Sequence, residues 1–268
     1  MSFIPQATSA RPQSVTVYPE IESDTYEARI VRIVALGMQE KTKLVPNGSG
    51  SWMKSTLPKD TSHVFQFALQ FELIGLKAAG AKWELENGKW VESETYAERP
   101  SCVFNEYYVY AGGTRGNLFD LCQAIDPSIN KIPNNLEWFK DKMLGAPVNI
   151  TLKSSPAKRT PEDDSTGKPY KYWTNVKGTS GMSKRSAMTL PQAESAHVFF
   201  DCYTTSIEMD KAYAELPQFQ RDKIAEAYDA ANIPLAGTEP KNFDVDDEAV
   251  KPHKEDAITD DFEDDIPF

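Results

Sequence analysis

Residues 64–73 read VFQFALQFEL, and this stretch decides the fold. Its apolar residues occupy every second position: Phe65, Phe67, Leu69, Phe71 and Leu73. The positions between them hold Gln66, Ala68, Gln70 and Glu72. Successive side chains of a β-strand point to opposite faces, so this period of two predicts a strand with one face in a core. We expect Phe65, Phe67 and Phe71 to be core residues.

Four more segments have the composition of strands. YEARIVRIVAL at 26–36 is rich in β-branched residues and is expected to be buried on both faces. CVFNEYYVY at 102–110, APVNITLKS at 146–154 and YKYWTNVKG at 170–178 complete the set. Between Gly75 and Pro100, the pair Asn87-Gly88 separates two short alternating runs, which predicts an inserted hairpin with a type I′ turn.

Helices are predicted between and after these strands. Apolar residues recur at helical spacing at Leu118, Leu121, Cys122 and Ile125. A second short helix is expected at 135–143, a further strand at 197–207, and a helix at 217–231. The last helix would bury a stripe composed of Phe219, Ile224, Ala227 and Tyr228. Loops rich in turn-forming residues are expected at 45–62 and, as a mobile connection, at 155–169.

The order strand, strand, strand, helix, strand, strand is that of an OB-fold, a five-stranded barrel with a helix between its third and fourth strands. Small α+β folds can produce the same order. The predicted fold class is therefore mainly β (α+β), an OB-fold barrel with loop insertions and a C-terminal helix. Residues 1–237 would form this domain, and residues 238–268, with low hydrophobicity and high net charge, a disordered acidic tail.

The net charge of −11 hides a dipolar chain. Residues 239–268 carry twelve acidic residues and three lysines, a net charge of −9. The rest of the chain carries 28 acidic and 26 basic residues, a net charge of −2. Within it, residues 151–188 hold eight basic and three acidic residues, a net charge of +5. An anionic partner is therefore expected to bind this segment.

The strand at 170–178 is the best candidate binding surface. Tyr170, Tyr172, Thr174 and Val176 would share its core face. The other face would present Lys171, Trp173, Asn175 and Lys177. An exposed aromatic ring between cations is typical of proteins that bind single-stranded nucleic acid, because bases stack on the ring while lysines contact phosphates. The simpler alternative is a solvated strand face with a lone, partly covered tryptophan.

Neighbouring segments add further candidate contacts. The expected phosphate-binding residues are Lys153, Lys158, Arg159, Lys184 and Arg185. Secondary stacking candidates are Trp52, with Lys54 beside it, Tyr108 and Tyr110.

Other function classes have little support in the sequence. No phosphate-binding glycine loop or catalytic triad motif is present, so we expect no enzymatic activity and no cofactor. Cys102, Cys122 and Cys202 are too scattered for a disulfide framework or a close metal site. Residues 161–165, PEDDS, are interpreted as loop solvation in preference to a cation site. The chain lacks a signal-peptide pattern and a long apolar run, so a cytoplasmic, non-membrane protein is expected.

The chain ends with TDDFEDDIPF, in which five of ten residues are acidic and the last three are Ile-Pro-Phe. Such an end can insert a terminal aromatic ring into an apolar pocket while the carboxylates provide longer-range attraction. It resembles the C-terminal tip of the bacterial single-stranded DNA-binding (SSB) proteins, which recruits replication, recombination and repair enzymes. The matching residues are Asp264, Asp265, Ile266, Pro267 and Phe268.

The resemblance implies a protein that binds and protects single-stranded DNA and recruits partner enzymes through its tip. The large insertions and short charged linker are more typical of a phage-encoded relative acting in a bacterial host cell. They leave open whether the chain forms the homo-oligomer of that family. The alternative is an adaptor or inhibitor that uses an SSB-like tip to occupy replication and repair proteins without binding DNA.

Overall fold

The structure is a computed structural model of the chain and describes residues 13–46 and 52–240. The expected tail at 238–268 lies almost entirely outside the described residues, as does the partner-binding tip from Asp264 to Phe268. The backbone of Trp52 is described but its side chain is not.

The described chain is mainly β with short helices, which confirms the predicted class at the level of α+β. The strands are β1 Ser14–Val17, β2 Thr25–Thr42, β3 Leu44–Pro46, β4 Trp52–Lys54, β5 Thr61–Ala78, β6 Ala81–Glu86, β7 Lys89–Thr95, β8 Arg99–Tyr108, β9 Pro147–Pro156, β10 Tyr172–Ser180 and β11 Val198–Phe200. The α-helices are α1 Asn117–Ile125, α2 Leu136–Trp138, α3 Pro161–Thr166, α4 Lys184–Thr189, α5 Ile207–Ala214 and α6 Gln218–Ala225. A π-helical turn, Phe139–Met143, extends α2, and single 3₁₀ turns cover Pro58–Asp60 and Ala230–Asn232.

The main sheet is built around β2. Its strand order is β10-β9-β2-β5-β8, and β11 pairs in parallel with β2. β2 and β5 pair antiparallel along nearly their full lengths, while β9 pairs with the first residues of β2. A smaller sheet has the order β1-β6-β7, and β3 pairs with β4. Within the described residues, β8 and β10 are edge strands that do not hydrogen-bond to each other.

The inner face of the sheet carries the core that the alternation in β5 predicts. Phe67, Leu69, Phe71 and Leu73 are buried there, and Phe65 is half-buried. The buried side of α1 closes the core with Leu118, Leu121 and Cys122. The predicted second helix contributes Phe139, whose ring meets that of Phe67 edge-on at 5.0 Å. The turn at Asn87-Gly88 is also present, with positive φ at both residues.

A second core covers the outer face of β2 and β5. Val34, Leu36 and Ala68 point outward and pack against a C-terminal segment that includes Phe200 and Ile224. β2 is therefore buried on both faces, as its composition predicts.

The predicted strand at 197–207 is mostly wrong. Only Val198–Phe200 is a strand, and α5 begins at Ile207. The chain leaves β11 through a turn in which the Asp201 carboxylate accepts from the backbone of Tyr203. Ser206 then caps α5, because its hydroxyl accepts the Met209 N–H. These side-chain contacts offer the backbone an alternative to a strand, and they outweigh β propensity.

The predicted helix at 217–231 is too long. α6 ends at Ala225, and Ile224 and Ala227 are buried as expected. Tyr228, however, is 72% exposed, with its ring stacked on His63. The helix stops because the next residues bind β2: the Tyr228 N–H donates to the Met38 carbonyl, and the Asp229 carboxylate accepts the Met38 N–H. Phe219, the fourth member of the predicted stripe, is 37% exposed.

Gly37 allows this close approach. It lies in a bulge of β2 with φ of +79°, a conformation that strongly favours glycine. A Cβ at this position would lie 2.7 Å from Ile233 Cδ1 and 3.0 Å from Ala227 Cβ. The C-terminal segment can therefore pack directly on the backbone of β2.

Two buried charged side chains fasten the connection between α4 and β11. The guanidinium of Arg29 donates to the carbonyls of Leu190 and Pro191. The carboxylate of Glu72 accepts the N–H groups of Glu194 and Ser195. Arg29 and Glu72 are cross-strand partners on β2 and β5, so one point of the sheet holds both ends of this connection.

The first prediction concerns Gly37→Ala. The left-handed backbone should cost about 1–2 kcal/mol with an alanine, and the clash with Ile233 and Ala227 about 1–3 kcal/mol more. The free energy of unfolding, measured by urea titration, should fall by the sum of these two costs. Gly75→Ala is the matched control, since Gly75 has φ of +80° but a Cβ added there would meet no atom within 4 Å. Equal losses in the two variants would contradict the close-packing role of Gly37.

Candidate nucleic-acid interface

The alternation predicted for the fifth main strand is present in β10. Trp173, Asn175 and Lys177 are exposed, and Trp173 retains 44% of its accessible surface. Tyr172, Thr174 and Val176 on the other face are half-buried, and Val176 packs on the inner core. An aromatic ring, an amide and an ammonium group thus share one accessible strand face.

β9 extends this face by one more cation. In the antiparallel register Asn175 lies directly opposite Lys153, and Trp173 lies opposite Ser155. Directly opposed residues point to the same side of a sheet, so Lys153 stands beside Asn175. We refer to Trp173, Asn175, Lys177 and Lys153 as the β10 face.

Lys171 and Tyr170 precede β10 and are not strand residues. The prediction that Tyr170 lies in the core is wrong, because its side chain is 54% exposed. The Arg159 guanidinium lies 4.0 Å from the centre of its ring, and this cation–π contact holds the tyrosine on the surface. The backbone of Lys171 nevertheless continues the hydrogen bonding between β9 and β10, since its carbonyl accepts the Ala157 N–H.

The connection from β9 to β10, predicted as a mobile loop at 155–169, contains a short helix that the sequence analysis did not predict. α3 begins with a capping box in which Thr160 and Asp163 bond to each other's backbone N–H groups. Arg159 pairs with Asp164 at 2.7 Å, and Lys168 pairs with Asp163 at 3.0 Å. The carboxylates of the PEDDS segment therefore neutralise two of the cations that the charge count assigned to an anionic partner.

The inserted hairpin supports the same helix. Lys89 of β7 donates to the carbonyl of Ser165, and Lys168 lies 5.9 Å from the centre of the Trp90 ring. The β1-β6-β7 sheet thus contacts the loop that precedes the β10 face.

Lys158, Lys184 and Arg185 have exposed side chains at the two approaches to β10. Lys158 precedes α3, whereas Lys184 and Arg185 form the first turn of α4, beyond the last residue of β10. A nine-residue strand spans about 30 Å, so the predicted phosphate contacts bracket the β10 face over roughly that length.

Two of the secondary stacking candidates, Tyr108 and Tyr110, form a separate cluster with Lys41, whereas the side chain of Trp52 lies outside the described residues. The Lys41 ammonium lies 4.8 Å from the ring centre of Tyr108 and 4.7 Å from that of Tyr110. Tyr110 lies just beyond β8 and is exposed. Sequence reasoning missed Lys41, because β5 lies between β2 and β8 in the sheet and no local pattern places Lys41 near Tyr108 and Tyr110. Because the Lys41 ammonium already contacts both tyrosine rings, bases would have to displace it or stack on the parts of the rings that it leaves uncovered.

A cleft that sequence reasoning missed separates the edge strands β8 and β10 at the start of α1. Its lining residues are Asn105, Tyr107, Asn117, Asp120, Val176, Lys177, Gly178 and Thr179. Burial raises the pKa of the Tyr107 hydroxyl to about 12, with the side chain of Asn105 opposing the shift. The available signal was Asn105, a polar residue on the core-facing side of a predicted strand, between Val103 and Tyr107.

The cysteines and the potential metal ligands of the described residues form no second candidate site. Cys122 and Cys202 are buried, which raises the pKa of each thiol to about 12, and Cys102 is half-buried. No cluster of three potential metal-ligating side chains occurs in residues 13–46 and 52–240. Over the same ranges, no helix is long and apolar enough to cross a membrane.

Comparison with known proteins returned no match: no family description fits the chain, and neither the curated proteins nor the solved structures contain a significant relative.

A second prediction concerns acidification of α3. The Thr160 backbone N–H and the Lys168 ammonium both bind the Asp163 carboxylate and lower its pKa from 3.8 to about 2. A lowered pKa means that these contacts stabilise α3 fully above about pH 4 and are lost as the pH falls through about 2. The carboxyl carbon of Asp163 and the amide of Thr160, followed by NMR, should titrate together near pH 2.

Asp163→Asn should reproduce the acid form of the Thr160 amide signal at neutral pH, since asparagine keeps the size but loses the charge. A midpoint near pH 3.8 for the Asp163 carboxyl would contradict the capping and pairing described for α3.

Proposed function

We propose that this protein binds single-stranded DNA through the β10 face. The observation that carries the proposal is the exposure of Trp173 on the same strand face as Asn175 and Lys177, with Lys153 aligned beside them. Bases of any sequence can stack on an indole ring, at about 1–3 kcal/mol each, while ammonium groups contact phosphates. A duplex keeps its bases stacked on each other, so this surface favours single strands.

The strand order supports an OB-fold as the scaffold. Numbered along the chain, β2, β5, β8, β9 and β10 are the first to fifth strands, and they lie in the order 5-4-1-2-3. α1 falls between the third and fourth strands. The third and fifth strands both line the cleft without hydrogen-bonding to each other, and pairing of these two edges would close a barrel of this kind. Oligonucleotides are a common ligand of that fold.

The charge arrangement also favours an anionic polymer over a small anion. Lys153 and Lys177 lie on the face, Lys158 precedes it and Lys184 and Arg185 follow it, so the cations are distributed over β10 and its two approaches. Recruitment of replication, recombination and repair enzymes through residues 264–268 completes the proposal. It rests on the sequence of the tip and its resemblance to the SSB proteins.

The direct test is fluorescence anisotropy of labelled oligo-dT and of a matched duplex, titrated with the full-length chain at two salt concentrations. Tight binding of the single strand that weakens with salt, with little binding of the duplex, would support the proposal. Absence of single-strand binding at both salt concentrations would overturn it. It would favour the adaptor hypothesis, in which only the C-terminal tip acts.

A third prediction concerns Trp173→Ala and Lys177→Gln. Loss of the stacking ring should weaken oligo-dT binding by about 1–3 kcal/mol, or about 5- to 150-fold. In Lys177→Gln, loss of one phosphate contact should make the negative slope of the log binding constant against log salt concentration shallower by about 0.7. Tyr228→Ala is the control, because it removes an exposed aromatic ring from the C-terminal segment. A similar loss of affinity in the control would show that the β10 face is not the binding site.

A further inference from the structure

The cleft between β8, β10 and α1 is small and polar. Its cavity volume is about 140 Å³, below the roughly 300–1,000 Å³ that is usual for pockets of drug-sized ligands, so it suits a single group no larger than a base. Its polar lining residues are Asn105, Asn117, Asp120 and Lys177. Few apolar side chains line it, so a ligand would be held mainly by hydrogen bonds.

Tyr107 supplies an independent sign that the cleft takes a ligand. Its side chain is 4% exposed, and its buried hydroxyl makes no hydrogen bond of normal geometry. Buried polar groups are nearly always satisfied in folded proteins, so an exception in the wall of a cleft needs a reason. In residues 13–46 and 52–240, the side chains of Asn117 and Asp120 also make no hydrogen bond or ion pair with each other or with their neighbours. Three polar groups in one cleft are thus available to a ligand.

The cleft is continuous with the β10 face. Lys177 belongs to both, because it is exposed on β10 and also lines the cleft. Gly178 and Thr179, the next residues of β10, continue the wall. A strand that stacks on Trp173 and contacts Lys177 therefore passes the mouth of the cleft, where an unstacked base can enter.

Guanine is the base whose edge complements these groups. Its Watson–Crick edge offers one acceptor, O6, and two adjacent donors, N1–H and the N2 amino group. Lysine is a common donor to O6, and a carboxylate accepts two adjacent N–H donors at once. Lys177 and Asp120 provide this pair. Thymine offers only one donor between two acceptors, so its edge would leave the Asp120 carboxylate half satisfied.

We propose that this cleft binds one unstacked guanine of a bound single strand and so gives the protein a preference for guanine over thymine. The inference rests on the proposed single-strand binding. The Tyr107 hydroxyl and the two asparagine amides would complete the hydrogen bonds to the base.

The test compares the full-length chain on a short oligo-dT and on the same oligonucleotide with one central dG, by competition anisotropy. The dG strand should bind at least about fivefold more tightly, the lower limit for one good bidentate base contact. Asp120→Asn should reduce that ratio to near one while leaving oligo-dT affinity equal or slightly higher. Asp141→Asn, which makes the same chemical change at an exposed position outside the cleft, should keep the wild-type ratio.

Tyr107→Phe separates ligand binding from folding. Removing a buried hydroxyl that makes no hydrogen bond of normal geometry should leave the melting temperature unchanged or raise it, and should lower the dG preference. If the hydroxyl served a structural role instead, the melting temperature would fall and the preference would survive.

A parallel titration with dGMP and dTMP is followed by NMR at the Asn117, Asp120 and Lys177 amides. It distinguishes failure of the cleft proposal from failure of the proposed single-strand binding. Normal oligo-dT binding with no dG preference, or a preference that survives Asp120→Asn, overturns the cleft proposal alone. Selective dGMP binding at these amides without strand binding supports the cleft and overturns the proposed function. If neither nucleotide nor strand binds, both proposals are overturned.

Discussion

Burial of β2 on both faces is the constraint on which the rest of the structure depends. The inner face of the sheet meets α1 and the π-helical turn, and the outer face meets the C-terminal segment. A strand with a single buried face would leave Val34 and Leu36 in water, so the residues after β11 are an integral layer of the fold. The Gly37 bulge and the paired anchors Arg29 and Glu72 then fix where that layer sits.

The strands were predictable because their signal is local. Alternation in β5, β-branched composition in β2 and the Asn87-Gly88 turn each report the conformation of neighbouring residues, and all three are present. The C-terminal segment was predicted poorly because its boundaries depend on distant partners. α6 ends where Tyr228 and Asp229 reach Met38, a contact between residues about 190 apart in sequence that no local pattern contains.

In the candidate site, too, the features with a local sequence signal were predictable and those that depend on distant residues were not. The exposed face of β10 follows from period two alone, and its pairing with Lys153 follows from an antiparallel hairpin. Counting charges, however, overstated the positive potential, because Arg159 and Lys168 are paired with Asp164 and Asp163 inside the same connection. Asn105 marks one wall of the cleft beside Tyr107, but the cleft as a whole was not predictable, since it forms only where two edge strands from opposite ends of the sheet meet α1.

The small β1-β6-β7 sheet has a practical consequence. β1 pairs with β6, β6 with β7, and Lys89 of β7 donates to the carbonyl of Ser165 in α3. A bulky label on a residue of β1 itself would therefore disturb the sheet that braces the approach to the β10 face. Immobilisation for surface-binding measurements is better made through an engineered cysteine on the exposed side of α5, for example at Glu208, which is remote in sequence from that sheet.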